Sequence, residues 1–381
     1  MEQNRKIPFN RPYTTGKELA YIQEAISSHK HCGDGAFTKR VSAFLESMFN
    51  VNKALLTTSC SSALDMACLV LNIGPEDEVI IPSFTFVSTA NAAVLRGAKI
   101  IFAEIDDTLN IDLDDVERKL TERTRLVMPV HYASTSCDMN RLMTMSQKHG
   151  FYVVEDAAQA VYAKYKDQWL GTIGHMGCFS FHETKNYSCG EGGALLINTD
   201  EKMLIEQAEI IREKGTNRSK FFRGEIDKYS WVAVGSSYLP SDFLAAYLLA
   251  QFEAMDAINE LRRHVFERYH EALLGLSQTG VFCLPRIPES NTINYHMFYL
   301  LFGTGEDRDA MMAHLKGNGI NAVFHYLPLH MSIMGVKMGY RAGDFPHTEK
   351  ISDTLLRLPL YASMDDTDID YIIQTIKAFY K

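Results

Sequence analysis

Three short stretches carry side chains whose types and spacing could do chemistry together. The first is Phe151-Tyr-Val-Val-Glu-Asp-Ala-Ala-Gln159, a hydrophobic run that reaches Asp156, with Gln159 three residues on. A carboxylate at a strand end can hold a protonated ring nitrogen, because opposite charge keeps both groups ionised. It can equally cap the turn that follows. The second is Cys178-Phe-Ser-Phe-His-Glu-Thr-Lys-Asn186, followed by Gly190-Glu-Gly-Gly193. A lysine in semi-apolar surroundings loses part of its basicity and can attack a carbonyl as a free amine, forming a Schiff base. Glycines beside it let backbone approach a bulky ligand, although an isolated lysine is more often a solvated surface residue. The third is Thr57-Thr-Ser-Cys-Ser-Ser-Ala-Leu64, a strand leading through small residues into a helix. Free N–H groups at a helix start bind phosphate. Ordinary N-capping explains one serine there, but not the whole run.

Combined, these stretches offer a phosphate site, a carboxylate with a companion amide, and a lysine after a later strand. Pyridoxal phosphate requires that set: phosphate at a helix start, a pyridinium paired with an acid, and a lysine imine. A dinucleotide site fits less well. Gly171-Thr-Ile-Gly-His-Met-Gly177 is rich in glycine but leads into a strand rather than a helix.

The surrounding chain supplies elements to position these residues. From about residue 50, β-branched runs alternate with helical patterns. Strands are expected at 53–57, 78–82, 99–105, 124–130, 151–155, 178–181 and 194–198. Helices are expected at 61–71, 85–96, 113–120 and 139–149. Such alternation predicts βαβ units and a mostly parallel sheet, and apolar runs without strict alternation predict strands covered on both faces. Ligands of such sheets gather at the carboxyl ends of the strands, where all three stretches fall. Beyond residue 200 the pattern becomes helical, with long segments at 201–213 and 241–276. A smaller α/β pattern follows, with strands at 297–302 and 322–325 and helices at 309–317 and 368–380. The irregular stretch Gly215–Ser237 is too long for a simple connection and predicts a functional or partner-facing role.

Composition narrows the partners. The 381 residues carry 38 Lys+Arg and 47 Asp+Glu, a net charge of −9. Phosphate-backbone binding needs a basic footprint, so this balance argues against nucleic acid. No stretch has the ~18 apolar residues of a membrane span, and the first residues lack the apolar core of a signal peptide. Seven dispersed cysteines without a CxxC pair fit reduced thiols in the cytoplasm rather than a disulfide framework or a zinc site. No histidine pair has zinc-ligand helical spacing, so no metal is expected.

The sequence resembles the sugar aminotransferases of the DegT/DnrJ/EryC1 family. The resemblance runs from Ile7-Pro-Phe-Asn10 and Cys32-Gly-Asp-Gly-Ala-Phe-Thr38 through Pro82–Asn91, Val153–Gln159 and Ser180–Lys185 to Phe324–His330. It implies a fold-type I, aspartate aminotransferase-like α/β architecture. A large domain with a mostly parallel mixed sheet would span residues 1–240, and a linking helix with a smaller C-terminal α/β domain would span 241–381. Three segments, His182–Tyr187, Arg212–Gly224 and Gly235–Leu239, are most similar to the subgroup that makes dTDP-4-amino-4,6-dideoxygalactose for enterobacterial common antigen. The implied reaction is transfer of an amino group from L-glutamate to dTDP-4-keto-6-deoxy-D-glucose, in a cytoplasmic homodimer whose active sites lie at the interface. Another nucleotide-linked keto sugar, with the amine at C3 or in the gluco configuration at C4, is the alternative.

The resemblance also implies roles. Lys185 would hold pyridoxal 5'-phosphate covalently and then shuttle the proton. Asp156 would pair with the pyridinium, Gln159 would contact the ring hydroxyl, and Phe86 would stack on the ring. Ser61 and Ser62 would offer N–H groups to the phosphate, and Ser180 its hydroxyl. Many family members carry an Asn where Leu239 stands, reaching the partner's phosphate; here Ser236, Ser237 or Ser241 could take that place, or the contact is missing. His325 and His330 are candidates for lining the sugar-nucleotide pocket. Arg212, Arg218 and Arg223 are candidates for the diphosphate, since guanidinium suits phosphate geometry.

Overall fold

The computed structural model describes residues 5–381; the expected large domain begins at residue 1, and its first four residues lie outside the described residues. Seven strands form the main sheet, in the order Lys53–Thr57, Gly193–Ile197, Met176–Ser180, Tyr152–Asp156, Thr124–Val127, Glu78–Pro82 and Lys99–Ala103. The last five are mutually parallel, and Gly193–Ile197 runs antiparallel to both its neighbours. The sheet is therefore mixed and mostly parallel. Its strands are apolar on consecutive residues because both faces are covered. Leu56, Ile80, Val153 and Leu196 point to one core, while Leu55, Ile81, Val154 and Leu195 point to the other. The carboxyl ends of the parallel strands then share one edge, and Pro82, Asp156 and Ser180 stand on it.

A second sheet, antiparallel throughout, is made of Phe282–Cys283, Phe298–Phe302, Leu355–Leu358 and Val323–Phe324 in that order. Phe298, Leu300, Leu356 and Leu358 pack beneath the helices Met255–Gln278, Gly305–Gly317 and Asp366–Phe379.

Three features differ from the periodicity reading. The helix expected at 241–276 is two, Asp242–Phe252 and Met255–Gln278, separated where Ala254 leaves helical geometry. The first is apolar on nearly every side because it packs against Glu18–Ser27 and Ala36–Phe49. The second is amphipathic; Met255 and Ile258 at its start still pack in the large sheet's core, and Val265, Phe266, Tyr269 and Leu273 belong to the core of the smaller sheet. Those two early helices precede the region where the alternating pattern begins. The strand Leu355–Leu358 was not expected either, although it pairs on both sides. Within Gly215–Ser237 there is only one helical turn, Arg218–Phe222, and bridges Glu213–Ser237 and Thr216–Trp231 pin its ends together. Among the described residues no helix is long and apolar enough to cross a membrane. All seven cysteines are free.

Candidate active site

At the shared strand edge lies a cavity of about 510 Å³ whose walls include Ser61, Phe86, Asp156, Gln159, Ser180, Lys185 and His325. Residues more than 120 positions apart in the chain meet there because all but His325 end or follow strands of the same sheet, and His325 follows Val323–Phe324 of the smaller one.

Asp156 closes its strand and is buried. Its Oδ2 accepts a hydrogen bond from Thr89 Oγ1 at 2.7 Å, and its Oδ1 accepts one from the Ala158 amide at 3.2 Å. Thr89 is itself linked to Thr85 at 2.8 Å. Bonds of this kind fix the orientation of the carboxylate. Gln159 is held at both ends of its amide. Its Oε1 accepts from the Ala133 amide at 2.8 Å, and its Nε2 donates to the Tyr326 hydroxyl at 3.1 Å. Ala133 presents that amide from a left-handed conformation, φ 51°, a backbone state that alanine adopts only when its surroundings impose it.

Lys185 sits in the turn after Met176–Ser180, its amide donating to His182 O. Burial pushes its amine below the usual lysine range, against the opposing pull of Cys60 and Asp156; Arg357 lowers it further. An amine that gives up its proton more easily is a better nucleophile near neutral pH. Two histidines on the walls are kept neutral, chiefly by burial. His296 Nδ1 faces Asn186 Oδ1 at 2.9 Å. Asn186 Nδ2 already donates to Asn294 O, so the ring N–H is assigned to Nδ1 and Nε2 is its acceptor. His325 Nδ1 meets the Tyr132 hydroxyl at 3.0 Å.

The serine-rich turn is an N-terminus resting on the sheet. Ser59 caps the helix Cys60–Val70 by accepting from the Ser62 amide at 3.1 Å. Capping thus occupies one of the two amides expected to serve a phosphate. Ser61 reaches the cavity, its hydroxyl 2.6 Å from Ser88 Oγ, whereas Ser62 turns its hydroxyl to Thr58 and Ser59 and does not line the wall. Gly193 permits the turn to lie so close: a Cβ there would stand 2.4–2.5 Å from the backbone of Ser59 and Cys60.

The remaining candidates stand elsewhere. His330 is fully buried between Ser83 Oγ, 2.7 Å from Nδ1, and Glu349 Oε1, 2.9 Å from Nε2. It ties the loop before Ile333 to the end of the strand Glu78–Pro82 and is absent from the cavity wall. Arg212 is buried, its Nη2 bonded to both carboxylate oxygens of Asp34 at 2.7 and 2.9 Å. Arg218 pairs with Glu213 at 2.8 Å and covers the Phe222 ring. Both line a second, more open groove of about 1110 Å³, together with Arg223, Ser237, Leu239 and Ser241. Within one subunit the structure does not bring them to Lys185. Three wall residues, Tyr326, His296 and Arg357, escaped the sequence reading, as did Thr89 beneath Asp156. Arg357 had a visible signal, a lone charge inside the apolar run Leu355-Leu-Arg-Leu-Pro-Leu360. Thr89 had none.

The model of the DegT/DnrJ/EryC1/StrS aminotransferase family matches residues 12–377. The chain belongs to this family. The spore coat polysaccharide biosynthesis protein SpsC of Bacillus subtilis is 32% identical over 392 aligned residues, covering 100% of this chain and 98% of SpsC. Among solved structures, the PLP form of Spr1654 from Streptococcus pneumoniae, described as a sugar aminotransferase, superposes with a TM-score of 0.90 at 25% identity, covering 98% of each chain. DesV of S. venezuelae, solved with a ketimine intermediate, gives 0.89 at 27% identity, covering 99% of each. The aminotransferase family thus accounts for nearly the whole chain.

Proposed function

We propose that this sugar aminotransferase, working with pyridoxal 5'-phosphate, moves an amino group from L-glutamate to C4 of dTDP-4-keto-6-deoxy-D-glucose. The product would be dTDP-4-amino-4,6-dideoxy-D-galactose, made in the cytoplasm for a surface polysaccharide. The observation that carries the transaminase reading is the convergence of Lys185, Asp156 and the Ser59–Ser61 helix start on one cavity beside Phe86. The sugar assignment is supported by the segments His182–Tyr187 and Arg212–Gly224 and by the polysaccharide role in the name of SpsC.

The residues fit the cofactor chemically. An anchored carboxylate, a helix N-terminus, a poorly solvated amine and an exposed aromatic face stand around a cavity of suitable size. When bound, the cofactor supplies an electron sink for the pair released as a C–H bond breaks. Asp156 supplies the negative charge that such a sink requires. Gln159, braced by Ala133 and Tyr326, orients the ring plane. The amine of Lys185, tethered beside the reacting carbon, takes and returns the proton without a diffusing carrier. Two half-reactions in one cavity predict ping-pong kinetics.

A second copy of the chain completes the proposal. Phe222, Trp231 and Val234 in the Gly215–Ser237 excursion are 69, 78 and 66% exposed, and large apolar side chains left in water along one segment support its role as an interaction surface. The test is incubation of the holoenzyme with dTDP-4-keto-6-deoxyglucose and L-glutamate, with NMR of the product. An axial C4 amine is expected. An amine at C3, or an equatorial one at C4, overturns the sugar assignment.

A further inference from the structure

The wall behind Lys185 holds two hydrogen-bond acceptors for which the chain supplies no donor. Residues 294–296 lead into the strand Phe298–Phe302 and are pinned from several sides. The Asn294 amide donates to Ser134 Oγ at 3.2 Å, and its Nδ2 donates to Gln159 O and Val161 O at 2.9 and 2.8 Å. Its carbonyl accepts from Asn186 Nδ2 at 2.7 Å. Arg262, buried beneath, donates to Tyr295 O and His296 O at 3.1 and 2.6 Å. Two acceptors are left over. Asn294 Oδ1 is buried without a partner. His296 Nε2 is the free end of a ring whose Nδ1 is committed to Asn186 Oδ1 at 2.9 Å. Burial, then the positive charges of Lys185, Arg262 and Arg357, keep that ring neutral, so its lone pair stays available.

Asn294 and His296 line, together with Lys185, a side compartment of about 10 Å³. That is room for one water and nothing larger. His296 and Lys185 also share the wall of the main cavity. Ser180 borders the compartment too, but its hydroxyl is the one proposed for the phosphate. A buried acceptor without a donor is unfavourable, and where one persists it calls for a partner. Lys185 is that partner at one stage only. Joined to the cofactor, its nitrogen carries at most one N–H. Released, it carries two, or three when protonated.

We propose that His296 Nε2 receives the amine of Lys185 once the amino donor has displaced it, with one water on Asn294 Oδ1 as the second acceptor. This rests on the transaminase reading and names a positioning residue for its proton transfer. With two N–H groups engaged behind it, the amine turns its lone pair toward the reacting carbon. After it has taken the proton, its third N–H faces the same way. The proton leaves the α-carbon of the donor, the electron pair passes into the cofactor, and Nζ returns the proton to the cofactor; His296 gains and loses none. A long, flexible side chain is thereby held ready for transfer.

The first test is crystallographic and uses the wild-type chain, so it stands whether or not any variant folds. In apoprotein loaded with pyridoxamine phosphate, where Lys185 is free, Nζ should lie about 2.7–3.2 Å from His296 Nε2, with one water joining it to Asn294 Oδ1. A free amine turned away from His296, or no water on Asn294, overturns the proposal. The second test separates positioning from support. In His296→Leu, conversion of the pyridoxal form by L-glutamate, followed by absorbance, should slow roughly 10- to 100-fold. The isotope effect with α-deuterated glutamate should grow, while cofactor affinity stays that of the wild type. His296→Gln keeps an acceptor and should recover part of the rate. An unchanged isotope effect in His296→Leu, or a loss of rate matched by a loss of cofactor affinity, overturns the assignment. A wild-type holoenzyme converted by no α-amino acid overturns the transaminase reading itself, a separate result visible before any variant is made.

Discussion

Gly193→Ala adds one methyl group at the contact on which the serine-rich turn depends. The new Cβ would stand 2.4 Å from Ser59 C and 2.5 Å from Cys60 N, against an ordinary contact of at least 3.4 Å. Both are backbone atoms, so no side chain can swing away. Gly193 is also fixed in the sheet between Thr57 and Ser180. The turn must therefore retreat by about 1 Å, taking with it the helix start proposed to hold the cofactor phosphate. Forcing a methyl into a packed site costs about 1–3 kcal/mol. If that falls on the bound form it weakens cofactor binding by roughly 5- to 150-fold, since 1.4 kcal/mol is a factor of ten. The assay is absorbance titration of the apoprotein with pyridoxal phosphate, beside urea unfolding of the same sample. Gly275→Ala is the control. It adds a methyl in open space within the helix Met255–Gln278, where Ala stabilises by about 1 kcal/mol relative to Gly. Wild-type cofactor affinity in a folded Gly193→Ala protein would refute the placement of the phosphate on this turn.

Asp156→Asn keeps the shape and removes the charge. Since an adjacent opposite charge moves a group's pKa by about 1–3 units, turnover should fall roughly 10- to 1,000-fold while circular dichroism remains native; near-normal turnover contradicts the pyridinium pairing. Lys185→Met should abolish turnover yet stabilise the apoprotein at neutral pH. Burial holds the folded Lys185 below its ordinary 10.5, so between the folded and unfolded values the unfolded chain binds the extra proton and wild-type stability rises with pH. The gap between the two melting curves should narrow as pH approaches 10.5, and a constant gap would show that the amine is not desolvated. Trp231→Asp should shift the protein toward monomer in sedimentation velocity if the exposed excursion meets a second copy; an unchanged sedimentation coefficient argues for another surface.

The parts of the site most legible in the sequence were those attached to strands. Asp156 and Ser180 end hydrophobic runs and Lys185 follows one. The parallel sheet then brings their strand ends together whatever the intervening loops do. Groups that act through tertiary contact left weaker traces. Thr89 is one threonine in a helix, and only the fold places it 2.7 Å from Asp156. Arg212 and His330 had the right chemistry for ligands, but Asp34 in one case and Ser83 with Glu349 in the other already use it. The break at Ala254 has no Gly or Pro to announce it. The run as a whole crosses from the large sheet's core, which still includes Met255 and Ile258, to the small sheet's, which it joins at Val265.

Lys185 is the residue proposed to be joined to the cofactor. Borohydride reduction of the holoenzyme, proteolysis and mass spectrometry of the peptides test it directly. One phosphopyridoxyl group per chain is expected, on Lys185 within the peptide that follows Phe181-His-Glu-Thr. A label on another lysine, or none on a coloured holoenzyme, would contradict it.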